Sequence, residues 1–84
     1  MPTAHIRRKN AIIDRVCDTE DKRLIISRCA LKEVDKRILT MLLIDRHDRG
    51  YVADMLGYDV SQVTRHFQKA LAAFEDVAIK LHKM

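Results

Sequence analysis

The scarcity of chain-breaking residues is the strongest constraint that this sequence places on its fold. Its 84 residues contain two glycines, Gly50 and Gly57, and one proline, Pro2. Neither Asn-Gly nor Asp-Gly occurs in the sequence, so the usual signals of a tight β-hairpin are missing. Long stretches therefore contain nothing that interrupts a helix. We expect an all-α fold of four to five helices, the last of them long.

The length of the chain limits it to one domain. Common domains have roughly 100–150 residues, so 84 residues leave no room for a second hydrophobic core. Apolar residues make up 48% of the chain and charged residues 33%, which is typical of globular proteins and not of disordered ones. No apolar run approaches the roughly 18 residues that span a bilayer. We expect a cytoplasmic protein without membrane contact.

The positive charge is concentrated towards the two ends of the chain. The net charge is +4, and it divides into +3 over residues 1–28, −1 over 29–59 and +2 over 60–84. A basic excess favours an anionic partner without identifying it, since a solvated Lys/Arg face gives the same composition. The basic stretch 7–9 is either an arm that contacts phosphates or the solvated side of a helix.

Cys17 and Cys29 are expected to be small buried hydrophobic residues. They lie twelve residues apart, without a Cys-x-x-Cys motif and without a histidine at ligand spacing, so a zinc site would lack ligands. The sequence contains no P-loop, nucleophile elbow, His-Glu-x-x-His motif or glycine-rich dinucleotide turn. We therefore expect neither a metal, nor a cofactor, nor an enzymatic activity.

Apolar residues spaced by three and four predict where the helices lie. The predicted helices cover about 4–17, 20–30, 32–46, 51–56 and 60–81. Asp18 or Thr19 is expected to cap the second helix, because a short polar side chain there can accept hydrogen bonds from free backbone N–H groups. Leu24, Ile25 and Cys29 are expected to form the buried side of that helix.

Three features mark the turns around the last two helices. Arg49-Gly50 indicates a break before the short helix. Gly57 can take the left-handed conformation that ends this helix. Asp59 and Gln62 have the spacing of a capping box at the start of the long helix.

The last helix is amphipathic along its whole length. Its apolar positions alternate in steps of three and four, at Val60, Val63, Phe67, Ala70, Phe74, Val77 and Leu81. Such a stripe must be covered. Either the first helix folds back over it, or two copies of the chain pair through the C-terminal part of the helix. The second arrangement predicts a homodimer with an interface formed by Phe74, Val77, Ala78 and Leu81.

The segment 51–71 has the organisation of a helix-turn-helix, a short helix and a longer one joined by a glycine-containing turn. Ala53 leaves space where the helices cross, Gly57 lies in the turn and Val63 fills the crossing. Together with the preceding helix over 31–44, this segment resembles the helix-turn-helix in the fourth region of bacterial sigma factors and in the regulators that share it. More faintly, it resembles small plasmid repressors of the TrfB type, in its Leu-Gly turn, its valine and the later segment 72–76.

The resemblance implies a single DNA-binding domain. Residues 1–46 would support a helix-turn-helix at 49–71, and residues 72–84 would extend its last helix. The chain has no room for the other promoter-reading and polymerase-clamping regions of a sigma factor, so regulation of transcription is expected instead of independent sigma activity. The implied partners are double-stranded DNA and, as a further contact, RNA polymerase or another regulator.

The recognition chemistry follows from a helix that lies in the major groove with its N-terminal half facing the bases. The residues predicted to contact bases are Ser61, Gln62, Thr64, Arg65 and Gln68. Gln pairs with adenine and Arg with guanine through two hydrogen bonds each, and a Thr methyl group can contact thymine. The residues predicted to contact phosphates are Arg49, Tyr51, His66 and Lys69, with Arg49 and Tyr51 assisted by free N–H groups of their helix.

These features predict a sequence-specific transcription regulator that binds a partly palindromic operator as a dimer. A repressor is favoured because the sequence shows neither an activating domain nor an effector pocket. The alternatives are a helical protein-interaction module, acting as an adaptor or inhibitor of a regulatory protein, and a DNA-packaging or replication-initiation module. Residues 1–17 are assigned to the dimer interface, to an arm on DNA or to the core, and the sequence does not choose among these roles.

Overall fold

The computed structural model describes residues 10–84, and over this range the chain forms five helices and no strand. Helix α1 covers 10–16, α2 Thr19–Arg28, α3 Glu33–Leu39, α4 Arg49–Leu56 and α5 Val60–Lys80. A π-helical stretch, Thr40–Ile44, continues α3 without a break. The all-α prediction with a long C-terminal helix is confirmed. The part of the first predicted helix over 4–9 lies outside the described residues.

Helix α2 begins at a capping box. The Asp18 carboxylate accepts a hydrogen bond from the backbone N–H of Asp21 at 2.8 Å, and the Asp21 carboxylate accepts one from Asp18 N–H at 3.4 Å. The cap at Asp18 is confirmed. The predicted buried side is partly wrong, because Leu24 is 39% exposed and Ile26 is buried in its place. Burial follows the spacing 22, 25, 26 and 29, which is one face of a helix.

The end of α3 is stabilised by a buried lysine. The Lys22 ammonium group donates to the backbone oxygen of Leu43 at 3.1 Å and to the Asp14 carboxylate at 2.7 Å. Helix C-termini carry unpaired carbonyl groups and partial negative charge, so a cation is favourable there. The helix predicted over 32–46 therefore ends at Ile44, where Lys22 satisfies one of its last carbonyl groups.

Asp14 links this end of α3 to α1. Its carboxylate also forms an ion pair with Arg46 at 2.9 Å. Partial burial acts to raise the pKa of Asp14, but the hydrogen bonds from Lys22 and Arg46 outweigh it, and the pKa lies below its usual value. The network joins α1, α2 and the chain after α3 through charged groups.

The connection between α3 and α4 differs from the predicted break. Asp48 is the N-terminal cap of α4, and its carboxylate accepts a hydrogen bond from Tyr51 N–H at 2.8 Å. Arg49 and Gly50 therefore lie inside the helix, because an aspartate cap sets the start of a helix more strongly than a following glycine interrupts it. At the other end of α4, Gly57 has φ +70° and Tyr58 N–H donates to Ala53 O at 2.9 Å. The left-handed end at Gly57 is confirmed.

The buried side of α5 is the centre of the core. Helix α5 packs against α2, α3 and α4, and its buried residues are Val63, Phe67, Ala70, Leu71, Phe74 and Ala78. Val60, the first residue of the predicted stripe, is instead 49% exposed. Ile13 of α1 and Cys17 belong to the same core cluster. Cys17 also contacts the end of the chain, where its Sγ lies 3.6 Å from Lys83 O.

The C-terminal part of the stripe is covered within one chain. Phe74 and Ala78 are fully buried, and Val77 and Leu81 are partly buried against the core. Phe74 and Ala78 therefore have no surface left to pair two copies, which corrects the expectation for these two residues, while a role of Val77 and Leu81 in pairing stays a prediction. Helices α2, α3 and α4 of the same chain pack on α5, and Ile13 of α1 belongs to the same core cluster.

Candidate nucleic-acid interface

The exposed side of α5 is polar in its N-terminal half. We define the polar face of α5 as Ser61, Gln62, Arg65, Gln68 and Lys69, all of which are exposed. The opposite side carries Val63 and Phe67, which are almost completely buried. The buried residues fix the helix on the core, and four of the five residues predicted to contact bases therefore lie in solvent.

Thr64, the fifth predicted base contact, is engaged within the protein. Its hydroxyl group donates to Val60 O at 3.0 Å and accepts from the Arg49 guanidinium group at 3.1 Å. The hydrogen bond between Arg49 and Thr64 connects the start of α4 to the first turns of α5. The hydroxyl group of Thr64 is thus occupied, and its methyl group is the part that remains for a base.

The N-terminus of α4 is less free than the sequence suggested. The Asp48 carboxylate already accepts from Tyr51 N–H, and it places a negative charge at the helix end. One of the N–H groups expected to assist Arg49 and Tyr51 at a phosphate, that of Tyr51, is therefore already engaged, and the assistance of the others stays a prediction. The phenol ring of Tyr51 is stacked on the imidazole of His47, with the ring centres 4.2 Å apart.

Gln62 has a structural role in addition to its place on the polar face. Its side-chain oxygen accepts a hydrogen bond from Asp59 N–H at 2.8 Å and forms the capping box of α5. The predicted capping box is confirmed. The amide NH2 group of Gln62, a donor of two hydrogen bonds, has no partner among the described residues.

His66 is held by two residues outside α5. Its Nδ1 lies 2.8 Å from a carboxylate oxygen of Asp35 in α3, and its ring is stacked on Tyr58 at 5.5 Å between ring centres. Asp35 is buried. Sequence reasoning missed Asp35, because it is 31 residues from His66 and only the packing of α3 on α5 brings the two together.

An open cleft of about 260 Å³ lies along one flank of α5, and Gln62, Arg65, His66 and Lys69 line it. These residues follow one another in steps of three, one and three, so they share one side of the helix. The Arg65 side chain makes no hydrogen bond or ion pair with any of the residues 10–84. The cleft therefore brings two of the predicted base contacts and two of the predicted phosphate contacts together.

The two cysteines behave as core residues. Both are buried and unpaired, as predicted. Burial raises the pKa of both thiols, and the nearby carboxylate of Asp21 adds to the effect at Cys17. In the described part of the chain, no group of three or more His, Cys, Asp or Glu side chains is close enough to hold a metal ion.

Comparison of the chain with known protein families, with characterised proteins and with solved structures finds no match. Across residues 10–84, no helix is long and apolar enough to cross a membrane. The polar face of α5 and the adjoining cleft are thus the features from which a function can be derived.

Proposed function

We propose that the protein is a sequence-specific, double-stranded-DNA-binding regulator of transcription that acts as a repressor in the cytoplasm and inserts α5 into the major groove. The observation that carries the proposal is the charge and polarity of α5. Residues 60–74 contain no aspartate or glutamate, and the exposed side of this stretch carries Arg65, Lys69 and hydrogen-bonding side chains. A helix of this kind tolerates the phosphate backbone on both sides of the groove.

Three residues of the polar face are assigned to the bases. Arg65 is exposed and unpaired among the described residues, so its guanidinium group can form two hydrogen bonds with guanine. Gln68 lies one turn further along and can pair with adenine, and Ser61 is the first exposed hydroxyl group of the helix. Each good two-bond contact contributes about 1–3 kcal/mol of discrimination between bases.

Phosphate contacts are assigned to both flanks of α5. Arg49 borders the flank next to α4, where its hydrogen bond to Thr64 fixes its position. Lys69 and His66 border the flank next to α3. Contacts of this class set the position of a protein on DNA without reading the sequence.

We also propose that two copies of the chain bind DNA together, for a reason that does not depend on the apolar stripe. One recognition helix reads only a few base pairs, and two copies on a partly palindromic operator double the site. The surface that pairs them lies outside Phe74 and Ala78, which are buried in one chain. RNA polymerase or another regulator is a further proposed contact.

The test is selection of bound sequences from a pool of random duplex DNA. We expect the parent protein to enrich a motif, and we expect Arg65→Ala to relax the preference at one or two positions of it. Lys80→Ala is the matched control, because Lys80 is an exposed cation on the same helix, far from the polar face. Failure of the parent to enrich any motif would contradict sequence-specific regulation.

Exposed apolar side chains favour one competing function. Tyr51 and Met55 lie one turn apart on α4 and are 44% and 56% exposed. A helical protein-interaction module would dock through such residues. Salt separates the two functions, because binding through several phosphates weakens steeply as salt rises whereas apolar docking does not.

A further inference from the structure

We propose that the cleft along α5 binds one phosphate group of the DNA backbone, and that this phosphate and Asp35 together hold a proton on His66. The inference rests on the proposed DNA-binding function and deepens it. It makes binding to DNA a reaction that takes up a proton, and it assigns Asp35 as the residue that positions His66.

The groups that line the cleft suit an anion once the His66 ring is protonated. The donors to a phosphate are the Lys69 ammonium group, the His66 ring and the amide NH2 of Gln62, while the Arg65 guanidinium group, which is assigned to a base, adds positive charge at the edge of the cleft. No carboxylate is among the described residues that line the cleft. A ligand with several acceptor oxygens and a negative charge matches this set of donors.

The size of the cleft limits the ligand. Its volume of about 260 Å³ is below the roughly 300–1,000 Å³ of pockets that enclose drug-sized molecules, and it is open to solvent along the helix. A single phosphate group of a continuous backbone, which enters from the open side, fits these dimensions better than an enclosed nucleotide does.

Asp35 determines which nitrogen of His66 carries hydrogen. An ionised carboxylate only accepts hydrogen bonds, so Nδ1, at 2.8 Å, must be the donor. In the neutral ring, Nε2 then has only a lone pair, which repels a phosphate oxygen. When a proton from solvent binds Nε2, both nitrogens become donors, one towards Asp35 and the other available to a phosphate.

Groups of both charges surround the His66 ring. Among the described residues, the titratable side chains that contact the ring or share its cleft are Asp35 from α3, Tyr58 from the turn, and Arg65 and Lys69 from α5. A bound phosphate adds a second anion beside the ring, opposite the Asp35 carboxylate. Only a ring with hydrogen on both nitrogens can donate to both anions at once.

The first arm of the test is the salt dependence of binding. With the full chain and a duplex from the selection, we expect Lys69→Ala to weaken binding to all duplexes alike and to lower the slope of log affinity against log salt by about one. Lys80→Ala, at the far end of the same helix, should leave the slope at the parent value. If Lys69→Ala shows the same salt slope as the parent protein, the inference is wrong.

The second arm is the pH dependence of binding. We expect the parent affinity to rise as the pH falls from about 8 to about 5, the range in which histidine side chains exchange protons, by up to about tenfold per pH unit. His66→Gln should keep the selected motif and lose this dependence. His82→Asn is the control, because His82 is exposed near the C-terminus with φ +57°, a conformation that Asn tolerates.

The outcomes separate the inference from the proposed function. If the parent binds no duplex, both fail. If the parent selects a motif but His66→Gln keeps its pH dependence, the cleft inference fails and the proposed function stands. Thermal unfolding by circular dichroism checks that each variant is folded, and Lys69→Ala still tests the cleft if His66→Gln is not.

Discussion

At the scale of single residues, the two glycines have opposite roles, one inside α4 and the other directly after it. Gly57 has φ +70°, a backbone angle that residues other than glycine rarely adopt, while Gly50 lies within the helix. We expect Gly57→Ala to lower the free energy of unfolding by about 1–2 kcal/mol, the cost of a left-handed conformation in a residue with a Cβ atom. Open space around the added Cβ rules out a clash as the cause.

Gly50→Ala is the matched control for this change, with an effect of opposite sign. Alanine is favoured over glycine inside a helix by about 0.5–1 kcal/mol. The added Cβ would lie 3.3 Å from the carboxylate of the Asp48 cap, which must shift slightly, so a gain at or below that range is expected. Urea unfolding of both variants measures the difference. A Gly57→Ala variant as stable as the parent would show that another backbone conformation serves equally well at this turn.

At the scale of helices, Gln62 joins the stability of α5 to its proposed function. We expect Gln62→Glu to keep the capping box, since glutamate also accepts from Asp59 N–H, and to leave the free energy of unfolding unchanged or slightly higher. The same substitution puts a carboxylate into the cleft, so DNA affinity should fall. Gln62→Ala should lower stability by about 0.5–2 kcal/mol, the range for losing a capping contact. Equal DNA affinity of Gln62→Glu and the parent would place the phosphate elsewhere.

The sequence predicted the local features of the helices better than their mutual contacts. Gly57, Asp59 and Gln62 were predictable because turn and cap chemistry depends on residues close in the chain. The start of α4 was misplaced because an aspartate cap and a glycine compete within three residues. Lys22 could not be predicted as buried, since its burial depends on Leu43 O, 21 residues away.

The candidate site also combines features that local sequence predicts with contacts that it does not predict. The exposed polar residues of α5 follow directly from helix periodicity, and the structure exposes Ser61, Arg65 and Gln68 as expected. The tie between His66 and Asp35 has no counterpart in local sequence, because it arises from the packing of α3 on α5. For the same reason, the sequence did not show what covers Phe74, because two arrangements of the helices fit the same apolar pattern.

At the scale of the whole molecule, the burial of the apolar stripe predicts folding that does not depend on a second copy. We expect the thermal unfolding midpoint of the protein without DNA to stay constant over about a hundredfold range of protein concentration, since the two copies are proposed to meet on the operator and dimerisation in solution would raise the midpoint with concentration. Phe74→Ala should lower the free energy of unfolding by about 3–5 kcal/mol, as expected for a residue in the core of one chain. A midpoint that rises with concentration would show that dimerisation contributes to folding.

Acid and alkaline stability depend on ion pairs that join distant parts of the chain. The hydrogen bond from Lys83 lowers the pKa of Asp21 below its usual 3.8, and the same contact raises the pKa of Lys83 above 10.5. The pKa of Asp14 also lies below 3.8. Stability from the lowered carboxylates is fully present above pH 3.8 and is lost as the pH falls further. Stability from Lys83 is present below pH 10.5 and is lost above it.

Lys83→Met tests this contribution. We expect the unfolding midpoint of the variant to fall less steeply than that of the parent, both at acid pH and at alkaline pH. Lys80→Met is the control, because its ion pair with Asp76 is exposed and contributes little. Identical pH profiles for Lys83→Met and the parent would show that solvent screens this contact completely.

Because α5 has a buried side and a separate polar face, the residues of the polar face can change in evolution or by engineering without disturbing the core. The side chains of Ser61, Arg65 and Gln68 make no hydrogen bond or ion pair with the rest of the described chain, so substituting them costs the fold little. The proposed preference for a DNA sequence could therefore be changed by a few substitutions on a constant scaffold. Gln62 and His66 are the exceptions, since each is also part of the architecture, and a redesign should leave them in place.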